Sequence, residues 1–128
     1  KDHTAASVVK CINSLERKWG RLFSDIFKTI TVDNGTEFAD CEGIEKKDKK
    51  GKKRTEVYYC HPYCSAERGS NENQNRMIRR HIPKGTNFDR KTKKDIQKVE
   101  DWLNNYPRPM FGGRSSQELY EEEMRLII

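Results

Sequence analysis

No stretch of this sequence is apolar enough to span a membrane, and nothing signal-like opens it. Lys1-Asp2-His3-Thr4 leads straight into an amphipathic pattern. The expectation is a soluble, cytoplasmic protein with no membrane among its partners. Apolar residues are scarce throughout: 33% of the chain against 36% charged. The core must therefore be lean, with long stretches solvated or laid against a charged partner. Paired Cys-x-x-Cys knuckles are missing too. Cys11 and Cys41 fall on apolar positions of predicted helices, where a free thiol packs as a small hydrophobe. Cys60 and Cys64 flank His61-Pro62-Tyr63, but that spacing falls short of a structural zinc pattern. A disulfide framework is not expected in an intracellular chain. No internal repeat is visible.

What the chain has in abundance is positive charge. Its 26 Lys and Arg against 20 Asp and Glu give a net charge of +6 over 128 residues. Such an excess is an argument about partners and not about fold. Nucleic acid is the usual partner, and a merely soluble basic protein is the plain alternative. The charge is concentrated at residues 46–54, KKDKKGKKR, where seven of nine positions are basic. As a solvated loop this run needs no function; beside DNA it touches phosphates without reading sequence.

The apolar periodicity sketches the remainder. Ala5, Val8, Val9, Ile12, Leu15 and Trp19 repeat at helical spacing, with Asp2 or Thr4 to start the helix and Gly20 to stop it. Leu22, Phe23, Ile26 and Phe27 form an apolar connection. Residues 28–32, KTITV, are rich in β-branched side chains and read as a strand ending at Asp33-Asn34-Gly35. Read alone, Asp-Asn-Gly is equally a hairpin turn. Glu37, Phe38, Cys41 and Ile44 read as one short helix, and residues 56–60, EVYYC, as a second strand that Pro62 closes. A polar helix follows, with Ser70 as its candidate N-cap, and stops at Pro83-Lys84-Gly85. Thr92 caps another helix whose Ile96, Val99, Leu103 and Tyr106 share a face, with Trp102 on its flank. Pro107 and Pro109 end it. Gly112-Gly113 reads as a flexible joint, and Ser115 with Glu118 as a capping box before a last helix with Leu119, Tyr120, Met124 and Ile127 inward. Two strands alone make a marginal sheet unless helices or further strands complete it.

The chemistry gathers at residues 65–80, SAERGSNENQNRMIRR. Glu72, Arg76 and Arg79 are spaced to share a helical face, with Arg80 beside them. A carboxylate at the head of a basic helix suits a metal ion held beside a phosphate backbone, and the helix dipole favours its ionised form. The other half of such a site is Asp33, because strand ends carry their loops to one edge of a sheet, where ligands collect. Phosphodiester chemistry draws on paired divalent ions about 3.5–4 Å apart, which take hard oxygen ligands. Read structurally instead, Glu72 pairs with Arg76 and does no more.

The strings DNGTEF and HPYCSAERGSNENQNRMIRRHIPKGTNF resemble the second half of the catalytic core of DDE transposases, most nearly those of the insertion-sequence-thirty type in the retroviral-integrase superfamily. NNYPRPMFGGRSSQELYEE resembles that family's closing segment, in which a proline-arginine pair precedes a helix. ERGSNEN and PKGTNF are the specific strings, DNG a weak one. The resemblance covers nearly the whole chain. It implies an α/β, RNase H-like fold, here partial and helix-rich with a small sheet and the first strands missing. Residues 1–108 would belong to the catalytic core and residues 109–128 to a closing segment with a terminal helix.

By motif match, the resemblance makes Asp33 and Glu72 the second and third of three acids that bind two Mg²⁺ or Mn²⁺ ions. The interval of residues 34–71 is slightly longer than the family's, and the basic loop accounts for the excess. No residue here matches the first acid; Asp2 precedes a helix and is not assigned. The implied activity is DNA transposition or integration, by hydrolysis at a transposon end and then strand transfer by in-line attack on phosphorus. This chain alone is expected to be inactive. DNA contacts are expected from Asn34, Lys49, Lys50, Lys52, Lys53 and Arg54 in the first half. In the second they are expected from Arg68, Asn71, Arg76, Arg79, Arg80 and Lys84. Unpaired strand edges point to a homo-oligomer, with a domain-swapped dimer as one form. Two other readings stay open: a non-catalytic nucleic-acid-binding module with a basic surface, and a nuclease or resolvase of the same superfamily.

Overall fold

The structure is a computed structural model that describes residues 3–128, with the backbone alone at positions 65 and 68. The candidate cap Asp2 lies outside the described residues. The chain is helix-rich with one small sheet and forms two compact units, Lys1–Glu67 and Arg68–Ile128. This division falls within the polar stretch, and residues 109–128 share a unit with the helix before them.

The first unit opens with α1, Ala5–Trp19. The Thr4 hydroxyl accepts from the Ser7 N–H at 3.2 Å, which satisfies a backbone donor that the helix start leaves open. Gly20 ends the helix at φ 56°, in the region only glycine enters freely. The apolar connection becomes a 3-10 turn, Gly20–Leu22, and the short helix α2, Phe23–Ile26. Phe23 is almost wholly buried and stacks on Phe27, with ring centroids 5.0 Å apart.

Strands β1, Thr29–Val32, and β2, Glu56–Tyr59, pair in parallel, Thr29 opposite Glu56 and Val32 opposite Tyr59. Parallel strands need a crossover rather than a tight hairpin. Residues 33–55 provide it, so Asp-Asn-Gly is not a hairpin turn here. The predicted single helix on this crossover is two pieces: a 3-10 turn, Thr36–Phe38, and α3, Cys41–Glu45. The Asp40 side chain caps α3 through the Gly43 N–H, and a Cβ added at Gly43 would sit 2.9 Å from Val9 Cγ2. Glycine there lets α3 approach α1 closely.

The core of this unit is small, as composition requires: Phe23, Val32, Ile44 and Cys60 are its buried apolar residues. Cys11 is exposed, contrary to expectation. The short elements cover only one side of α1, and position 11 lies on the flank beyond them. Cys41 is half-buried, its thiol 3.4 Å from Glu45 Oε1.

The second unit packs α4, Gly69–Ile78, against α5, Lys93–Asn105, and α5 against α6, Ser116–Ile127. Met77, Ile82 and Met124 are its buried apolar residues. His81 meets Trp102 edge-on at 4.2 Å, and Trp102 meets Tyr106 at 5.1 Å. The expected capping box of Ser115 with Glu118 forms, and Thr92 caps α5 through a second box with Asp95 that the sequence reading did not include.

Four expectations are corrected here. Helix α4 begins at Gly69, directly from a 3-10 turn, Ser65–Arg68, so Ser70 is already helical and is not the cap. Ile96 and Tyr120 are exposed, because a three-helix unit this small covers only a narrow strip of each helix. Gly112 and Gly113 form a closed turn and not a loose joint. Gly113 N–H donates to Arg108 O at 3.0 Å, and Arg108 N–H to Arg114 O at 3.0 Å.

Candidate nucleic-acid and metal site

Asp33 directly follows β1 and is half-buried. Its Oδ1 accepts from Gly35 N–H at 2.9 Å, which closes the turn and fixes the carboxylate's direction. The Asn34 side-chain amide donates to Cys60 O at 2.7 Å, and Cys60 N–H to Val32 O at 2.9 Å. The turn after β1 is thereby tied to the end of β2. Because the strands run in parallel, Asp33, Asn34 and His61 are all carried to one edge of the sheet.

At that edge Glu67 turns back on the chain. One oxygen accepts from His61 N–H and the other meets His61 Nδ1, both at 2.7 Å. These hydrogen bonds hold the Glu67 carboxyl below its ordinary pKa. Between them Tyr63 has φ 62° and a ring fully open to solvent. That backbone region is uncommon for a residue other than glycine.

In the second unit, Glu72 lies in the first turn of α4, where the helix dipole favours a carboxylate. Glu72 and Arg76 are both exposed, and among the described residues no ion pair or hydrogen bond joins them. The purely structural role for Glu72 as the partner of Arg76 is therefore not what holds it. Arg79 and Arg80 lie just past the end of α4. Arg79 donates to Ile82 O at 3.3 Å and to Pro83 O at 3.5 Å, and so helps end the helix. Asn71, Arg80 and Lys84 are exposed. The Arg68 side chain lies outside the described residues.

The basic loop departs most from expectation. Asp48 Oδ1 accepts from Lys50 N–H at 2.8 Å and Lys52 N–H at 2.9 Å, and Lys47 and Lys53 form an antiparallel bridge. The run is thus an ordered turn. Lys49, Lys50 and Lys52 point into solvent, as a phosphate-binding surface needs. Arg54 does not, and its assignment as a DNA contact is corrected. It is 6% exposed, with Nε donating to Ile44 O at 2.8 Å and its terminal nitrogens to Gly43 O at 2.8 Å, Asn13 Oδ1 at 2.7 Å and Glu16 Oε2 at 2.8 Å. A guanidinium brought this far inside must pair its donors, and these bonds engage four of the five.

Lys53 is likewise engaged, with Glu45 at 3.0 Å and Glu56 at 3.1 Å. Glu45 is buried, and its pKa is held low by the Val57 N–H and then by Lys53, against the effect of burial. Burial pushes Glu16 up, but hydrogen bonds from Lys46 and Arg54 outweigh it and leave its pKa below the ordinary range.

The carboxylates of Asp33 and Glu72 are hard oxygen donors, which suits magnesium or manganese. No group of three His, Cys, Asp or Glu side chains placed to hold a metal occurs among the described residues. The donor type fits such an ion.

No protein-family model matches the chain, and no solved structure gives a significant match. Curated sequences do. A transposase for insertion sequence element IS4351 of Bacteroides fragilis is 42% identical over 80% of this chain and 30% of its own length. Transposase InsI for element IS30A of Escherichia coli is 34% identical over 88% of this chain and 28% of its own. A putative integrase of Spiroplasma virus SpV1-R8A2 B is 29% identical over 94% of this chain and 35% of its own. The chain spans about three tenths of the length of the curated transposases it matches. Through most of its residues, the chain is thus similar to one part of the IS30-type insertion-sequence transposases.

Proposed function

We propose that this chain is part of the catalytic core of a DDE transposase, a polynucleotidyl transferase of RNase H-like fold that acts on DNA. The carrying observation is the setting of Asp33. It follows a parallel strand, at the edge where both strands end, with its carboxylate oriented by Gly35 and its turn pinned by Asn34. That is where α/β sheets present ligand-binding groups.

Asp33 and Glu72 would hold the divalent ion. When bound, magnesium or manganese supplies the positive charge that stabilises the attacking and leaving oxygens of an in-line displacement at phosphorus. The chain's own residues do the rest. Lys49 and Lys50 neutralise backbone phosphates, and Arg76, Arg80 and Lys84 do the same from α4 and the turn after it. These contacts position DNA without reading its sequence. Asn34 keeps the turn closed so that Asp33 faces one way. With no residue matching the first acid of the family, the chain by itself neither cuts nor joins DNA.

The reading is tested by measuring affinity for double-stranded DNA across salt concentrations. Counterion release makes log K fall linearly with log salt, by about 0.9 for each phosphate neutralised. Affinity that stays flat from low to moderate salt overturns it. Addition of Mg²⁺ or Mn²⁺ to this chain with a nicked or intact transposon end should yield no product.

A further inference from the structure

We propose a second phosphate-binding site in the first unit, separate from Asp33, in which Arg21, Lys47 and Lys52 grip one phosphate of the DNA backbone. A cleft of about 270 Å³ opens between the start of α2 and the basic turn. Its cationic lining is Arg21, Lys46, Lys47, Lys52, Lys53 and Arg54. Only two acids, Glu16 and Asp48, share it.

The partners of these charges decide what the cleft can take. Lys46 and Arg54 are spent on Glu16, and Lys53 on Glu45 and Glu56. Asp48 accepts from the backbone N–H groups of Lys50 and Lys52, which turns its carboxylate toward the loop backbone but leaves its charge in place. Arg21, Lys47 and Lys52 are exposed, and among the described residues their side chains take no hydrogen bond or ion pair. These three cations outnumber the one acid, Asp48, that is not in an ion pair around the opening, and an anion between them lowers their mutual repulsion while gaining charge-assisted hydrogen bonds. The volume lies below the roughly 300–1,000 Å³ of sites for drug-sized ligands, and suits a single phosphate better than a whole nucleotide.

The cleft's place in the fold sets its role. Arg21 precedes β1 in the chain, and Lys47 and Lys52 precede β2, whereas Asp33 follows β1. In a parallel pair, the residues that lead into the strands and those that follow them belong to opposite edges of the sheet. The cleft would therefore hold a phosphate removed from the reacting one and fix the duplex in register. This rests on the transposase reading above, since it takes the ligand to be DNA.

The test is salt-dependent DNA binding by the chain and by the triple variant Arg21→Gln, Lys47→Gln, Lys52→Gln, with circular dichroism to confirm that the variant folds. The expected result is about a 10-fold loss of affinity at low salt and a log–log slope shallower by about 0.9, the share of one phosphate. A variant with the affinity and slope of the parent overturns the cleft while leaving the transposase reading intact. A parent chain that fails to bind DNA overturns both. In a second arm, the Arg21 Nε–H resonance is followed during titration with inorganic phosphate and with duplex. Movement with DNA at far lower concentration supports the proposal; movement with free phosphate alone assigns the cleft to a small anion and overturns it.

Discussion

The Arg54 guanidinium donates to the Glu16 carboxylate across 2.8 Å, and so ties the end of the basic loop to the last turns of α1. The same side chain donates to the carbonyls of Gly43 and Ile44 at the end of α3, and lies over the Phe23 ring at 5.8 Å. One arginine thus joins three elements of the first unit. Removing it strands buried acceptors and leaves Glu16 with Lys46 as its one remaining ion-pair partner. Breaking a buried pair costs about 3–5 kcal/mol, and Glu16 is partly exposed, so Arg54→Ala should cost about 2–4 kcal/mol. Lys49→Ala, a few residues away in solvent, should stay within about 0.5 kcal/mol. Urea unfolding of the two variants checks the contrast.

Acid sensitivity should follow from Glu45. Its folded pKa is depressed by the Val57 N–H and by Lys53. A depressed carboxylate contributes stability that is fully present above its unfolded pKa, about 4.3, and is lost as pH falls through the folded value. Stability should therefore decline as pH drops below about 4.3, and the decline should be shallower in Glu45→Gln, which keeps an acceptor for Val57 but carries no charge. Thermal unfolding between neutral and acid pH measures it; identical acid limbs in the two proteins would exclude Glu45 as a source.

The two capping boxes of the second unit give a third expectation. Thr92 Oγ1 accepts from Asp95 N–H at 3.3 Å and Ser115 Oγ from Glu118 N–H at 3.2 Å. Thr92→Ala and Ser115→Ala should each cost about 1 kcal/mol. The Ser115 change should cost more, because Ser115 is buried and Thr92 exposed. Urea midpoints of the single variants test both the size and the order.

These caps were legible in the sequence because all their parts lie within three residues. So was β1, whose β-branched run stops at a residue that cannot extend it. Arg54 was not. In the sequence it is one of seven similar charges, and its partners Asn13 and Glu16 lie 41 and 38 residues away. Nor was the pairing of the strands, which the crossover decides and not the strands themselves. Tyr120 and Ile96 obey helical spacing, yet the small unit leaves them uncovered. For the candidate site, the sequence supplied Asp33, Asn34 and Glu72 through motif likeness. It gave no sign of the Asn34–Cys60 tie, of Tyr63's backbone, or of which loop lysines are already engaged.

The central claim is that Asp33 and Glu72 act together on a divalent cation. Titrating Mn²⁺ into the chain, with free Mn²⁺ read by electron paramagnetic resonance, tests it most directly. Weak binding by the parent that disappears in both Asp33→Asn and Glu72→Gln is the predicted result. Equal binding by all three proteins, or none by the parent, would contradict it.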